Sequence, residues 1–195
     1  MIGVIDLGIG NLLSLELALE KIGRCSRRVS TPEGIESAGC LVLPGVGSFG
    51  YASGILWSSG CGQAVLDAVA GGRKLLGICL GMQLMFEGSE ESPGAPGLGL
   101  SSGCCSRLPE GRMKVPHMGW DTVEYCDGST GQAYFVHSFC AREWRGEPAA
   151  DSEGWCCYGE SFLASFRAGP LAGCQFHPER SGEWGLSWLA EVLRC

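Results

Sequence analysis

Basic residues, long apolar runs and closely paired cysteines are scarce or missing in this sequence. The chain has 14 Lys and Arg residues against 21 Asp and Glu, which gives a formal net charge of −7. This balance disfavours a protein that follows nucleic-acid phosphates or binds an acidic membrane surface. No apolar run approaches the roughly 18–20 residues that span a bilayer. We therefore expect neither a nucleic-acid partner nor a membrane association.

A secreted disulfide scaffold and a zinc site are also disfavoured, although the chain contains 12 cysteines. There is no Cys-x-x-Cys pair, and the doublets Cys104-Cys105 and Cys156-Cys157 lack the spacing of zinc ligands. The first residues show no basic segment and no cleavage site of a signal peptide. We expect a cytoplasmic protein without a metal site. Eleven of its cysteines are predicted to be small buried side chains, and Cys79 is the exception.

Short apolar runs in the first half of the chain alternate with segments of helical spacing. The predicted strands are 1–5, 40–43 and 74–78, and the predicted helices are Leu12 to Ile22, 63–69 and 82–87. Asn11 is a candidate cap for the first helix and Gly23 a candidate stop. This alternation predicts a parallel sheet that is covered by helices on both faces.

The second half of the chain is richer in short strands. Its predicted elements are a loop at 92–103, strands at 133–136, 161–166 and 173–176, and a closing helix that carries Leu186, Leu189 and Leu193 with Trp184 and Trp188. We expect an α/β fold with a central, mostly parallel sheet and mixed or antiparallel strands in this half. The length suits one domain over residues 1–195.

In α/β sheets of this kind, sites gather where strands end. The turns after Ile5, Leu43, Ile78 and Phe176 are therefore the places to search. After Ile5, the sequence Gly8-x-Gly10 has the beginning of a dinucleotide fingerprint. Leu13 occupies the position of the third glycine, where a large side chain would block close helix packing. This turn is predicted to shape the edge of a pocket instead.

The turn after Ile78 has the spacing of a nucleophile elbow. Residues 77–81, Gly-Ile-Cys-Leu-Gly, match the G-x-nucleophile-x-G pattern with cysteine in place of serine. At such a turn the nucleophile has a strained backbone, and its neighbours two residues away must be small. A following helix favours a thiolate, and the Leu80 N–H can face a developing oxyanion. A buried cysteine between two unrelated glycines is the alternative, since the chain has 32 glycines.

A base for this nucleophile is predicted at His177. Residues 175–179, Gln-Phe-His-Pro-Glu, place a histidine just after a strand with a carboxylate two residues later. Because the following proline favours an extended conformation at His177, Glu179 can return to the imidazole and orient it. His117 and His137 lack such a neighbour, and the residues alone favour structural roles for both.

The turn after Leu43 is a second source of amide donors. Residues 44–47, Pro-Gly-Val-Gly, form a small loop whose N–H groups can complete an oxyanion hole. The spacing alone favours a tight turn without a chemical role, so the residues leave both interpretations open.

Together these segments resemble the class I, or triad, glutamine amidotransferases. The stretches that carry the resemblance run in the family's order: 5–12, 44–49, 77–83, 115–120, 134–138 and 176–181. The Pro-His-Met-Gly-Trp sequence at 116–120 and Phe-Val-His-Ser at 135–138 are similar to one branch, which serves histidine biosynthesis. The resemblance implies a flavodoxin-like fold and hydrolysis of glutamine to glutamate and ammonia. It also implies a cyclase partner that uses the ammonia to make imidazole glycerol phosphate and AICAR.

The resemblance assigns the catalytic roles residue by residue. Cys79 matches the nucleophile, His177 the general base and acid, and Glu179 the carboxylate that orients the histidine. The oxyanion amides correspond to Val46, Gly47 and Leu80.

Substrate and partner contacts are also implied by the resemblance. Gln83 and Glu91 match the positions that hold the amino-acid end of glutamine. The family's heterodimer contacts with a (β/α)8-barrel cyclase fall on Asn11, Trp120, His137 and Arg180. The resemblance implies no cofactor and no metal.

Several positions depart from the residues usual in the family. Asp121 and Arg180 stand where asparagine and lysine are usual, Cys140 replaces an aromatic residue, and Gly169-Pro170 replaces a glycine followed by asparagine. None of these positions lies in the triad. They affect the expected partner contacts more than the expected chemistry.

Three other functions are left open by the sequence. The chain could serve a different synthase, such as the one that makes pyridoxal phosphate. It could be a non-catalytic binding or scaffold protein that retains a relic site. A cysteine hydrolase of the chaperone-like elbow family needs an acid before the elbow strand, and Asp67 is the one available there.

Overall fold

The computed structural model describes residues 1–111 and 113–194, so the expectation for Cys195 lies outside the described residues. The strands are β1 (Ile2–Ile5), β2 (Ser26–Val29), β3 (Cys40–Gly45), β4 (Lys74–Cys79), β5 (Phe86–Ser89), β6 (Ser101–Arg107), β7 (His117–Tyr125), β8 (Thr130–His137), β9 (Phe139–Cys140), β10 (Ser152–Tyr158), β11 (Glu160–Ala168) and β12 (Leu171–Cys174). The helices are α1 (Leu12–Lys21), α2 (Pro32–Glu36), α3 (Phe49–Ser58), α4 (Cys61–Ala70), α5 (Leu80–Gln83) and α6 (Gly182–Val192), and a 3₁₀ turn covers Pro178–Arg180.

A nine-stranded sheet lies at the centre, with the strand order β2-β1-β3-β4-β12-β11-β10-β7-β8. The four pairings from β2 to β12 are parallel, and the four from β12 to β8 are antiparallel. The order of the first five strands is that of a flavodoxin-like sheet. The predicted α/β fold, parallel first and antiparallel in the second half, is thus confirmed. A small sheet, β5-β6-β9, lies beside it.

Helices cover both faces of the central sheet. Buried side chains of α2, α3 and α4, among them Ile35, Leu56 and Val65, form a core on one face. On the other face, α1 and α6 bury side chains such as Leu19 and Leu189. With both faces covered, the chemically active groups gather at the carboxyl edge of the parallel strands.

The first helix begins and ends as its sequence predicts. The Asn11 side chain accepts a hydrogen bond from the Leu13 N–H at 3.1 Å and caps α1. Gly23 has a φ of +72°, a left-handed conformation that stops the helix. This helix fixes the Gly8–Gly10 turn at the edge of the site.

The helix predicted at 82–87 is wrong. α5 ends at Gln83, and β5 begins at Phe86. The following loop explains the change, because the Gly97 and Gly99 N–H groups donate to the carbonyls of Glu87 and Phe86. Tertiary hydrogen bonds therefore override the local helical pattern. The predicted loop at 92–103 ends earlier as well, where β6 begins.

The prediction of eleven buried cysteines is wrong for four of them. Cys25, Cys104, Cys126 and Cys157 are exposed. In the two doublets one cysteine is buried and its neighbour exposed, because adjacent residues of a strand face opposite sides.

In the part of the chain that the structure describes, no helix is long and apolar enough to cross a bilayer.

Candidate active site

Cys79 sits at a strained turn between β4 and α5. Its φ of +53° is the one positive value among the non-glycine residues that the structure describes. A Cβ on Gly81 would lie 1.7 Å from the Leu43 carbonyl oxygen, and one on Gly77 would lie 2.7 Å from the Met82 Cα. The two glycines are therefore required for the chain to pass here, as the elbow spacing predicts.

The Cys79 sulfur is buried against polar groups of the second half of the chain. The side-chain amide of Gln175 donates a hydrogen bond to Sγ at 3.5 Å, and the Val136 carbonyl oxygen lies 4.0 Å from it. The helix that follows has four residues, fewer than expected, so its dipole contributes little. Local donors, and not a long helix, are the main source of positive potential at the sulfur.

His177 and Glu179 form a buried pair on the 3₁₀ turn after β12. Nδ1 of His177 lies 2.9 Å from Oε1 of Glu179, and the two side chains are 7% and 10% exposed. Nε2 of His177 makes no hydrogen bond of ordinary geometry within the described residues. Burial alone lowers the pKa of His177, but the nearby Cys79 sulfur and the Glu179 carboxylate raise it to about 10. The imidazole is thus held as a proton donor beside the sulfur.

The backbone of His177 is tied to strand β8. Its N–H donates to the Tyr134 carbonyl at 2.9 Å, and the Ser181 hydroxyl donates to the His177 carbonyl at 2.6 Å. The same hydroxyl accepts from the Tyr134 N–H at 2.9 Å. Ser181, 1% exposed, therefore joins the histidine turn to β8. Sequence reasoning gave Ser181 no separate role, because a serine after a charged pair has no distinctive spacing.

The other two histidines form a neutral pair in the interior. Nδ1 of His117 lies 3.2 Å from Nε2 of His137, whose Nδ1 lies 3.0 Å from the Phe139 carbonyl oxygen. Burial lowers the pKa of both, that of His137 to about 3. The structural roles expected from the residues fit this arrangement. His137 is 6% exposed, and the partner contact expected for it stays a prediction.

The loop after β3 lies beside the elbow. Gly45 pairs in register with Cys79 in the parallel sheet, and Gly47 has a φ of +94°. Leu80 is the first residue of α5, so its N–H has no partner within the helix. Val46 packs on Gly10, where a Cβ would lie 2.9 Å from a Val46 methyl group. Val46, Gly47 and Leu80, the predicted oxyanion residues, thus line one cleft with Cys79, and their role stays a prediction.

A cleft of about 540 Å³ opens over Cys79. The predicted substrate residues Gln83 and Glu91 line it, together with Val46, Gly47, Leu80, Arg107, Pro116 and residues 136–139. Glu91 accepts the Phe49 N–H at 2.7 Å, which fixes its carboxylate at the start of α3. A second cavity of about 30 Å³ is lined by His177, Glu179, Asn11 and the loop at 44–46.

Gln175 is a residue of the site to which sequence reasoning gave no role. It is fully buried, and its Nε2 donates to Cys79 while its Oε1 accepts from the Gln83 amide at 3.0 Å. Because Gln83 also donates to the Phe139 carbonyl at 2.8 Å, both of its amide hydrogens are used. The sequence did carry a signal for Gln175, because it is a polar residue at the end of a buried strand, two residues before the histidine.

Three of the four predicted partner contacts are exposed. Asn11 and Arg180 are exposed, and Trp120 is 56% exposed. The Arg180 guanidinium lies 4.4 Å from the centre of the Tyr134 ring, and Trp120 makes an edge contact with the same ring. Met118, 63% exposed, extends this apolar surface along β7. Exposed large apolar residues of this kind mark interaction surfaces.

Asp67 does not approach the elbow. It lies on the exposed side of α4, where it accepts a hydrogen bond from the Gln63 amide at 2.9 Å. The acid that a cysteine hydrolase of the chaperone-like elbow family requires is therefore not supplied by Asp67.

Sequence relatives cover the whole chain. A HisH subunit of imidazole glycerol phosphate synthase from Bacillus subtilis is 42% identical and matches 100% of this chain and 96% of its own. The HisH subunit from Methanothermobacter thermautotrophicus is 40% identical, and the match covers all of both chains. The chloroplastic synthase hisHF of Arabidopsis thaliana is 38% identical over 99% of this chain, which spans 34% of the plant protein.

Solved structures share the fold at lower identity. A glutamine amidotransferase crystal structure superposes with a TM-score of 0.78 at 22% identity, over 98% of this chain and 97% of its own. PurLQS from Thermotoga maritima has a TM-score of 0.74 at 16% identity, over 98% and 96% of the two chains. Residues 4–193 match the family described as "Glutamine amidotransferase class-I". The elbow, the histidine turn and these matches agree, and the chain belongs to the class I glutamine amidotransferase family.

Proposed function

We propose that this chain is the glutaminase subunit of an imidazole glycerol phosphate synthase and acts in histidine biosynthesis. One observation carries the proposal: the strained Cys79 lies close to the buried His177–Glu179 pair and lines the same cleft as Glu91. Relatives of nearly the same length, about 40% identical, are named as such subunits. Those names favour this synthase over one that makes pyridoxal phosphate, and the presence of Cys79, His177 and Glu179 together disfavours a relic site.

The first half of the reaction forms a thioester. The Cys79 sulfur attacks the side-chain amide carbon of glutamine, and the amide oxygen becomes an oxyanion. We assign its stabilisation to the N–H groups of Gly47 and Leu80, each worth about 3 kcal/mol. His177 then gives its proton to the amide nitrogen, the carbon–nitrogen bond breaks, and ammonia leaves.

The second half releases glutamate. His177, now neutral, takes a proton from water, and the hydroxide attacks the thioester carbon. The carbon–sulfur bond breaks, and the proton on His177 again stabilises the thiolate. Glu179 keeps the imidazole in one tautomer and one orientation through both steps.

The ammonia passes to a (β/α)8-barrel cyclase that docks on the edge formed by Asn11, Met118, Trp120 and Arg180. Ammonia that enters neutral bulk water becomes mostly ammonium, which has no lone pair for attack, so a direct transfer is chemically needed. The plant relative supports this partner, since this chain matches only 34% of it and leaves room for a second unit. We also propose that residues 1–195 form one domain and act in the cytoplasm.

The proposal is tested by replacing the nucleophile in the assembled synthase. Cys79→Ala should abolish glutamine-dependent synthesis and leave ammonia-dependent synthesis intact, because the acceptor reaction belongs to the cyclase. Cys157→Ala, at an exposed cysteine, is the matched control and should retain both activities. Glutamine hydrolysis that survives in Cys79→Ala would overturn the nucleophile assignment.

A further inference from the structure

Glutamine brings two opposite charges into the cleft, an α-ammonium and an α-carboxylate. Two of the cleft-lining residues carry full charges: Glu91 and Arg107. One carboxylate and one guanidinium are the complement that a zwitterion requires. Sequence reasoning gave no role to Arg107, which belongs to no motif.

Gln83 is not available to bind the carboxylate. Its two amide hydrogens are already donated, to the Phe139 carbonyl at 2.8 Å and to Gln175 Oε1 at 3.0 Å. Only its carbonyl oxygen is left to face the cleft, and an oxygen acceptor repels a carboxylate. The partner of the carboxylate must therefore be another donor in the lining.

The backbone of Arg107 is held firmly at the wall of the cleft. It pairs with Phe139 between β6 and β9, and its N–H donates to the Glu90 carboxylate at 2.8 Å. Arg142 donates to its carbonyl at 3.3 Å. The guanidinium lies over the Phe139 ring, 5.7 Å from its centre, and the side chain is 50% exposed. Arg107 thus reaches the mouth of the cleft from a fixed strand.

The current partner of the guanidinium is weak. Nε and Nη2 of Arg107 donate to one oxygen of Glu110, at 3.1 and 2.8 Å, and Glu110 is 71% exposed. Ion pairs this exposed contribute little, so a substrate carboxylate competes with Glu110 easily. Within the described residues, no hydrogen bond involves Nη1 of Arg107, which leaves donors for a two-point contact.

We propose that Arg107 binds the α-carboxylate of glutamine, which leaves the α-ammonium to Glu91, the residue that the family resemblance already assigns to the amino-acid end of glutamine. This assignment rests on the proposed function and adds to it the residue that makes the site selective for an α-amino acid. A γ-amide that lacks the α-carboxylate would leave Arg107 with Glu110 alone and would bind more weakly.

The test compares three ligands on the Cys79→Ala chain, in which binding is separated from chemistry. Dissociation constants are measured by NMR titration for L-glutamine, L-glutaminamide (no α-carboxylate) and 4-carbamoylbutanoate (no α-ammonium). Arg107→Gln should weaken L-glutamine by about 10- to 100-fold and leave L-glutaminamide within about 2-fold. Glu91→Gln should weaken the binding of L-glutamine and L-glutaminamide, which both carry the α-ammonium. It should leave the binding of 4-carbamoylbutanoate unchanged.

Glu110→Gln is the matched control, since it frees the guanidinium without removing it. This variant should bind L-glutamine at least as tightly as the parent chain. An unchanged preference for L-glutamine over L-glutaminamide in Arg107→Gln would overturn the assignment. Hydrolysis by the synthase with an intact Cys79 is measured in parallel, so that a failure of the Arg107 assignment is distinguished from a failure of the proposed function.

Discussion

The two halves of the chain contribute to the site in different ways. The parallel half contributes backbone: Gly77 and Gly81 leave almost no room for a side chain at the elbow, and Gly47 gives the neighbouring loop a φ of +94°. The antiparallel half contributes side chains: the Gln175 amide donates a hydrogen bond to the sulfur, and the His177–Glu179 pair lies close to it. Backbone geometry places the nucleophile, and side chains of the second half supply its polar neighbours.

This difference has a consequence for mutations. At the elbow of the parallel half, a single methyl group added to Gly77 or Gly81 is expected to displace the backbone and damage the fold and the activity together. In the antiparallel half, exchanging one polar atom is expected to change the chemistry while the fold survives. The predictions below test this contrast.

Glu179→Gln is expected to have the largest effect on activity. The glutamine side chain introduced at position 179 would face Nδ1 of His177 either with an N–H group or with a carbonyl oxygen, which is a weaker acceptor than a carboxylate. The imidazole therefore loses its charge partner and its fixed tautomer. We expect kcat/KM for glutamine to fall about 10³-fold or more with the fold retained. Kinetics of the assembled synthase and circular dichroism check this. If Glu179→Gln unfolded along with its loss of activity, the expectation that changes in the antiparallel half spare the fold would be wrong.

The same variant changes the pH dependence in a defined direction. Burial lowers the pKa of His177, but Cys79 and Glu179 raise it to about 10, above the ordinary value near 6.5. Stability from this shift is fully present below about pH 6.5 and is lost as the pH rises through about 10. In Glu179→Gln the alkaline limb of kcat should move to lower pH, since one raising partner is gone. The difference in unfolding free energy between the parent protein and Glu179→Gln should shrink as the pH rises from about 6.5 to about 10.

Gly81→Ala is expected to have the next largest effect. Its Cβ would lie 1.7 Å from the Leu43 carbonyl oxygen, so β3 and the elbow must separate. We expect the free energy of unfolding to fall by about 3 kcal/mol or more, and residual activity to fall at least about 100-fold from misplacement of the sulfur. Urea unfolding followed by fluorescence measures the first quantity. A folded, active Gly81→Ala protein would show that the elbow tolerates a side chain.

The parts of this site that the sequence predicts are those with local spacing. Residues 77–81 and 175–179 each hold their chemistry within five positions, so the elbow and the histidine turn can be recognised without a structure. The alternation of strands and helices likewise predicts the parallel strands β1, β3 and β4.

The parts that the sequence does not predict depend on distant contacts. Gln175 acts through Gln83 and Phe139, and Arg107 reaches the cleft only because β6 pairs with β9. The strand β5 replaces a predicted helix for the same reason, since its hydrogen bonds come from the loop around Gly97. Strands β2, β7 and β10 are also missing from the prediction, because their mixed polar and apolar residues form no clear run.

Gln175→Met should have a moderate effect, because it removes a single hydrogen bond to the sulfur. We expect kcat/KM for glutamine, measured on the assembled synthase, to fall about 10-fold, because the sulfur loses its amide donor. Gln83→Met should act partly through the same group, since Gln83 orients the Gln175 amide. The double variant should therefore lose less than the two single losses combined. If the two losses in kcat/KM were fully additive, Gln83 would not act through the Gln175 amide.

Gly54→Ala should have the smallest effect, and it tests whether glycine is needed throughout the parallel half or only at the turns. Gly54 lies on the exposed side of α3, and a Cβ there would meet nothing within 4 Å. Because alanine loses less backbone entropy in a helix, the free energy of unfolding should rise by about 0.5–1 kcal/mol, with activity unchanged. Thermal and urea unfolding of Gly54→Ala and Gly81→Ala, measured under the same conditions, give the difference in stability between the two variants. A loss of stability in Gly54→Ala would show that the whole parallel half, and not just its carboxyl edge, depends on glycine.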